Sequence, residues 1–153
     1  MSPSSQPASR VLELDTYWPY QIIVLAERLS RRTSAIVKQH GLNLSQWRVL
    51  AAIAEVPGRT SVEVVSITPM DKGIVSRATK GLLEQGLIYR KASQSDGRIS
   101  HLHLTEAGFE RYGVLFPQVE AILLQASAQL SPEEQAHLSD NLGRLLKVLP
   151  DRR

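Results

Sequence analysis

The stretch from residue 61 to 104 constrains this chain more than any other feature, because four local patterns follow one another there in a fixed order. A short helix is predicted from about Ser61 to Ile67, and Thr68-Pro69-Met70 breaks it. A longer helix then runs from about Asp71 to Gln85 and is stopped by Gly86. Either Asp71, or Thr68 with Pro69 at the first helical position, can cap its start. After it, Leu87-Ile88-Tyr89 is β-prone and Ser100-His101-Leu102-His103-Leu104 alternates polar and apolar with period two. Between them, Ser93-Gln94-Ser95-Asp96-Gly97-Arg98 is rich in turn formers. Two helices joined by a three-residue turn and followed by a hairpin make a winged helix-turn-helix.

The flanks read as helix. The first runs from about Thr16 to His40, with Ile22, Leu25, Leu29 and Ile36 on one face, Pro19 in the first turn and Gly41 just past the end. The second starts at Ser45 as N-cap, with Leu44 and Val49 as a hydrophobic staple, buries Trp47, Leu50, Ile53 and Ala54, and ends at Pro57-Gly58. Thr105 caps a long helix with a stripe at Phe109, Tyr112, Phe116, Val119, Leu123, Ala126 and Leu130. Pro117 lies inside it, and the stripe keeps phase across the proline, so a bend is expected there and not a stop. Ser131-Pro132-Glu133-Glu134 starts a last helix with a capping box, and Leu138, Leu142, Leu145 and Leu149 form its stripe, which Pro150 ends. The fold class is therefore mainly α with a small β-hairpin. Residues 1–15 are expected to form a flexible tail, 16–43 an N-terminal dimerisation helix, 44–104 the winged helix-turn-helix, and 105–150 C-terminal dimerisation helices. The dimer follows from the apolar stripes at both ends, Ile22 and Leu29 against Leu130, Leu138, Leu142, Leu145 and Leu149. Packing of these helices within one chain is the alternative; a two-fold pair of recognition helices one DNA turn apart favours the dimer.

The second helix of the pair carries chemistry on one side only. Projected at about 100° per residue, Val75, Ala78, Thr79 and Leu82 fall together as a core face, while Gly73, Ser76, Arg77 and Lys80 fall opposite them. Arg can fork onto guanine, Ser can bond a base edge or a phosphate, and Lys can hold a phosphate as a point charge. With Lys72 and Gly73 at its start, where free N–H groups favour anions, this face is a candidate major-groove reader. Arg98, beside Asp96 and Gly97 on the hairpin tip, suits a narrow minor groove; Asp96 makes sense as the local partner that fixes it or a neighbouring cation. Arg90 and Lys91 sit at the hairpin base, in reach of phosphates. The net charge of the chain, 18 Lys and Arg against 15 Asp and Glu, is too small to decide anything by itself. Its placement is informative: residues 59–103 hold seven cations (Arg59, Lys72, Arg77, Lys80, Arg90, Lys91, Arg98) against four anions, and the rest of the chain balances. A winged-helix protein-interaction module without DNA binding is the alternative reading of the same pattern.

The chain resembles the MarR family of transcriptional regulators. The matching stretches are Leu44-Ser45-Gln46-Trp47-Arg48-Val49-Leu50, Met70-Asp71-Lys72-Gly73-Ile74-Val75-Ser76-Arg77, Leu83-Glu84-Gln85-Gly86-Leu87-Ile88-Tyr89-Arg90, Ser95-Asp96-Gly97-Arg98 and Leu104-Thr105-Glu106-Ala107-Gly108, in the family's order and spacing. The resemblance runs from about Leu12 to Leu149. It implies a homodimer with interlocked terminal helices that grips a pseudo-palindromic operator in double-stranded DNA. It also implies release, usually of a repressor, by a small-molecule effector such as an aromatic acid or phenol. Ser76 and Arg77 match the family's recognition helix, and Asp96 and Arg98 its wing. Ile74 stands where the family often has Thr, so an apolar contact to a thymine methyl replaces the hydroxyl contact expected there. The redox-sensing mode of the family needs a Cys in the first helix, and this chain has no Cys at all.

Tyr17, Trp18, His40, Trp47 and Arg48 are candidates for the effector pocket, since aromatic side chains gather on the first two helices where the family places it. Core packing is the stronger reading for Trp47; Arg48 and Arg32 can pair with a carboxylate ligand or form salt bridges. His101 and His103 form an H-x-H on a strand, but no third ligand stands near, so a solvent- or DNA-facing pair is expected over a metal site. The sequence holds no nucleophile elbow, P-loop or Gly-rich dinucleotide turn, and no enzyme activity or cofactor is expected. Without an apolar run of about 20 residues or a secretory h-region, a cytoplasmic location is expected.

Overall fold

A computed structural model describes residues 11–150 of the chain. Six helices and one hairpin follow in the order α1 (Trp18–Gln39), α2 (Leu44–Glu55), α3 (Ser61–Ile67), α4 (Lys72–Glu84), β1 (Ile88–Ala92), β2 (Ser100–Leu104), α5 (Glu106–Ser127) and α6 (Pro132–Val148). This is a winged helix-turn-helix flanked by terminal helices. Of the expected tail, residues 1–10 lie outside the described residues. Residues 13–17 form a turn on the Glu13 carbonyl, which accepts from the N–H groups of Thr16 and Tyr17 at 3.3 and 3.0 Å. That turn delays the start of α1 from Thr16 to Trp18.

The caps explain most of the boundaries. α2 begins two residues earlier than Ser45 as N-cap would dictate, because Asn43 is its N-cap. The Asn43 side chain accepts from the Gln46 N–H at 2.8 Å, and the Gln46 side chain accepts from the Asn43 N–H at 2.9 Å. Ser45 has Arg48 three residues on and cannot form this reciprocal box. The staple therefore shifts to buried Leu42 and Trp47. Thr60–Glu63 and Ser131–Glu134 build the same box at α3 and α6, and Asp71 settles the start of α4 by accepting from the Ile74 N–H at 2.8 Å. α5 runs through Pro117 without a break.

A single core lies under α4 and the hairpin. Val37 of α1, Val49, Leu50 and Ile53 of α2, Val64 of α3, Val75 and Leu82 of α4, Leu102 of β2 and Leu115 of α5 are all fully buried. β1 and β2 pair antiparallel in the register Arg90↔Leu102 and Lys91↔His101. The turn between α2 and α3 adds a short third edge: the Gly58 N–H donates to Leu102 O, and the Leu102 N–H to Arg59 O, both at 2.9 Å. Gly58 takes a positive φ of 89° to do so, a conformation cheap only for glycine.

The terminal helices are different. No residue of α6 is buried, and Ile22, Ile23 and Leu25 of α1 and Leu123 and Leu124 of α5 are exposed. On α5 the expected stripe is half right. Val119 is buried, but Phe109 and Phe116 are open, and Leu115 and Gly108 take the inner positions. No helix among the described residues is long and apolar enough to cross a membrane.

Candidate nucleic-acid interface

Helix α4 divides as its sequence period requires. Val75, Ala78, Thr79 and Leu82 are buried, whereas Lys72, Gly73, Ser76, Arg77 and Lys80 are exposed. Ile74 lies between the two faces and packs half-buried against the core, so only part of its side chain is open to a groove. The Arg77 guanidinium folds back toward the start of the helix, where a Cβ added at Gly73 would stand 3.3 Å from its Nη1. Lys80 reaches Glu84 at 4.0 Å, but both side chains are well exposed; such a pair contributes little, so Lys80 remains available to a phosphate.

The hairpin tip is a closed turn and not a loose loop. The Asp96 carboxylate accepts from the Arg98 N–H at 3.0 Å, the Ile99 N–H donates to Asp96 O at 3.0 Å, and the Ser93 N–H donates to Ile99 O at 2.9 Å. Asp96 thus fixes Arg98 through its backbone and leaves the guanidinium unpaired among the described residues. Nothing lies near Gly97. Arg90 and Lys91, expected together at phosphates, alternate across the hairpin. Arg90 lies on the Leu102 side, toward the core layer, and Lys91 on the His101 side.

The two histidines of β2 do not form a free pair. His101 Nδ1 lies 2.7 Å from Gly58 O, and His103 stacks on Tyr89 with ring centroids 5.3 Å apart. The carbonyl can only accept, so Nδ1 carries the proton. Both rings bracket the α2–α3 turn and are half-buried, on the hairpin face they share with exposed Tyr89 and Lys91. No group of three His, Asp or Glu able to hold a metal forms among the described residues.

Arg59 also has a role that sequence reasoning missed. Its Nη1 donates to Ala52 O at 2.7 Å and to Glu55 Oε2 at 2.6 Å, closing the end of α2. One of the seven cations of the basic block is therefore structural. The only sequence signal was the Glu55–Arg59 spacing of four.

The expected effector residues separate into two groups. Trp47 is buried and stacks on Tyr112 at 5.6 Å, and Tyr112 stacks on Phe116 at 5.5 Å. The His40 carbonyl accepts from Arg111, and its Nε2 lies 3.3 Å from the Gln118 side-chain nitrogen. His40 and Trp47 thus meet the same stretch of α5. Arg48 instead donates to Ser30 Oγ of α1 at 3.3 Å. Tyr17 and Trp18 stand exposed at the other end of the 22-residue α1, about 33 Å away. Trp18 there lines a groove with Leu145 and Val148 of α6. One pocket within one chain cannot hold all five.

Comparison with known proteins gives the following. A family model described as MarR family matches residues 40–99. The chain is 32% identical over 73 residues to the HTH-type transcriptional regulator PetP of Rhodobacter capsulatus, spanning 48% of this chain and 44% of that protein. It is 29% identical to the homoprotocatechuate degradative operon repressor of Escherichia coli, spanning 74% of this chain and 76% of that one. Among solved structures, a MarR-family protein of Listeria monocytogenes complexed with 26mer DNA superposes with a TM-score of 0.80 at 26% identity, covering 84% of this chain and 86% of that one.

Proposed function

This chain belongs to the MarR family of transcriptional regulators, and from that premise we propose that it is a homodimeric repressor that leaves a pseudo-palindromic operator when a small aromatic acid or phenol binds. In this reading residues 44–104 grip DNA, α4 enters the major groove with Ser76 and Arg77, and Arg98 enters the minor groove. Residues 16–43 and 105–150 join the two copies.

The observation that carries the reading is the division of α4. Four side chains lock the helix to the core, and the opposite face presents Ser76, Arg77 and Lys80 with Gly73 at its open end. The wing tip adds Arg98, whose backbone Asp96 fixes while the guanidinium stays unpaired among the described residues. This arrangement matches the two-groove requirement of DNA readout. The Listeria relative, complexed with DNA, favours it over an interaction module that never binds nucleic acid. The dimer is supported by α6, none of whose residues is fully buried within the described chain. The repressor role and the aromatic effector are supported by the Escherichia coli relative, whose name ties it to an operon for degrading an aromatic acid. The effector would act by changing the spacing of the two α4 helices and so their register with two half-sites.

The experiment is footprinting on the DNA upstream of the protein's own coding region, with and without candidate aromatic acids. Two protected half-sites one helical turn apart, lost on adding the acid, are expected. Elution from heparin at low salt, with no footprint on any duplex, overturns the reading.

A further inference from the structure

A groove of about 440 Å³ lies where the start of α1 meets the end of α6. Trp18, Asn141, Arg144, Leu145 and Val148 line it, and no Asp or Glu does. Trp18 is 52% exposed, so half of its side chain stands open. Neither the Arg144 guanidinium nor the Asn141 amide has a hydrogen-bond or ion-pair partner among the described residues. Asp140 stands four residues before Arg144, the usual spacing for a helical ion pair, yet forms none with it.

These groups ask for one kind of molecule. A guanidinium recognises a carboxylate through paired, charge-assisted N–H donors, and the Asn141 amide can donate a further bond. A flat ring suits the Trp18 indole, since aromatic pairs favour offset stacking, and Leu145 and Val148 supply apolar wall. The volume falls in the range of about 300–1,000 Å³ that holds small ligands. The helix ends agree with an anion. α1 begins at Trp18 with no side-chain cap and no acidic residue in its first turn, so the positive end of its dipole is uncompensated. The negative end of the α6 dipole is answered by Lys147 in its last turn.

The groove is also turned away from the face expected against a second copy. At about 100° per residue, Leu138 and Leu142 fall together on α6. Asn141, Arg144 and Val148 fall about 100° round the helix from them, with Leu145 between. A second copy can therefore cover the Leu138–Leu142 stripe and leave Asn141 and Arg144 open.

We propose that this groove seats the aromatic acid, with the ring against Trp18 and the carboxylate on Arg144 and Asn141. The proposal rests on the reading that such an acid releases the chain from DNA, and it moves the seat from His40, Trp47 and Arg48 to the far end of α1. No residue of α6 is buried, so an acid held between α1 and α6 fixes an angle that the chain alone leaves loosely set. That angle is where a dimer would feel the ligand.

The test uses the intact chain and its own fluorescence. The chain has two tryptophans, and Trp47 is buried against Tyr112. Trp47→Phe leaves Trp18 as the reporter; the difference between wild type and Trp18→Phe gives the same signal should Trp47→Phe fail to fold. Benzoate, titrated at constant ionic strength, is expected to change Trp18 emission saturably. Acetate, which lacks the ring, and benzamide, which lacks the charge, should act far more weakly. Arg144→Gln should weaken benzoate at least about tenfold, with circular dichroism and sedimentation mass unchanged. A silent Trp18, or wild-type benzoate affinity in Arg144→Gln, overturns the seat. A lower mass in Arg144→Gln overturns it too, because a second copy would then fill the groove. Operator release by benzoate that persists in Arg144→Gln removes the seat and leaves the effector reading standing. Saturable binding at Trp18 with no operator release by any aromatic acid that binds leaves the seat and overturns the effector reading.

Discussion

Arg77 lies over Gly73: its Nη1 stands 3.3 Å from where a Cβ at Gly73 would be, and Asp71 Oδ1 stands equally close on the other side. Glycine therefore makes the space in which the Arg77 guanidinium rests beside the cap of α4. The Gly73→Ala variant replaces a poor helix former by the best one, a gain of up to about 1 kcal/mol. The crowded neighbours are a flexible Arg end and a cap that must yield by a few tenths of an ångström. Stability by urea denaturation is expected to be unchanged or slightly higher, whereas operator binding falls because a methyl now separates the helix start from the DNA. A clear loss of stability would mean that the Asp71 cap cannot move.

Arg77 itself separates specific from general binding. Arg77→Ala should cost about 1–3 kcal/mol on the operator and much less on random DNA, read by gel shift at one salt concentration. Equal losses on both duplexes would make it a phosphate contact. Arg98→Ala should lower affinity by removing the minor-groove insertion, and unchanged operator binding would count against the wing's role.

Gly108 is the most confined glycine of the chain. A Cβ there would stand only 2.0 Å from Leu87 O, a backbone atom that cannot swing aside. The same carbonyl accepts from the Thr105 N–H at 3.1 Å, and Thr105 Oγ1 caps Gly108 at 3.1 Å. Gly108→Ala would gain helix propensity and still lose, because α5 must move off the wing's base. A loss of at least about 2 kcal/mol is expected, read as a lower urea midpoint with an unchanged m value.

What could be read in advance depended on the range of the interaction. The two faces of α4 follow from the helical period of its thirteen residues and the Asp71 cap just before them, and they are as expected. The start of α2 needed a choice between Asn43 and Ser45, two good cap residues, and the reciprocal bond from Gln46 decides it. The placement of His101 depends on Gly58 O, 43 residues away in sequence, so alternation along β2 could give its side but not its partner. The apolar stripes of Ile22 and Leu142 were legible as stripes. Nothing among the described residues of the chain covers them, so the pattern alone could not place them in a core.

Thr79 tests the opposite end of α4 from its reading face. Its side chain is 1% exposed, and Oγ1 has no hydrogen-bond partner. A buried hydroxyl left unpaired costs about 1–3 kcal/mol. Thr79→Val, of nearly the same shape, should therefore raise stability by about 1 kcal/mol without altering DNA binding. A destabilised variant would show that the hydroxyl finds a partner in solution.

The α3 cap gives a pH signature. The Thr60 N–H and hydroxyl bind the Glu63 carboxylate and hold its pKa below the ordinary 4.5. Because the folded value is lowered, the stabilisation is present above pH 4.5 and fades as pH falls through the folded value. In thermal melts the gap between wild type and Glu63→Gln should be constant near neutral pH and close on acidification below pH 4.5. A gap that widens in acid would reverse the assignment.

The exposed leucines of α6 decide what the terminal helices are for. Leu138 and Leu142 are 46% and 36% exposed and Leu149 is 73% exposed, and no residue of α6 is buried. A 17-residue helix with no packed face is marginal in water, since most helical stability in proteins comes from burying one side. An apolar stripe of this size on a lone chain would also mark an interaction surface. If a second copy covers it, Leu138→Lys with Leu142→Lys should halve the mass in sedimentation, reduce helical circular dichroism by about the content of α6, and abolish operator binding at concentrations where wild type is saturated. If α6 were only a surface helix, two lysines at exposed positions would change stability by no more than about 0.5 kcal/mol each, and the mass would not change. An unaltered mass in the double variant would therefore remove the dimer from the proposed mechanism while leaving the α4 contacts to be judged on their own.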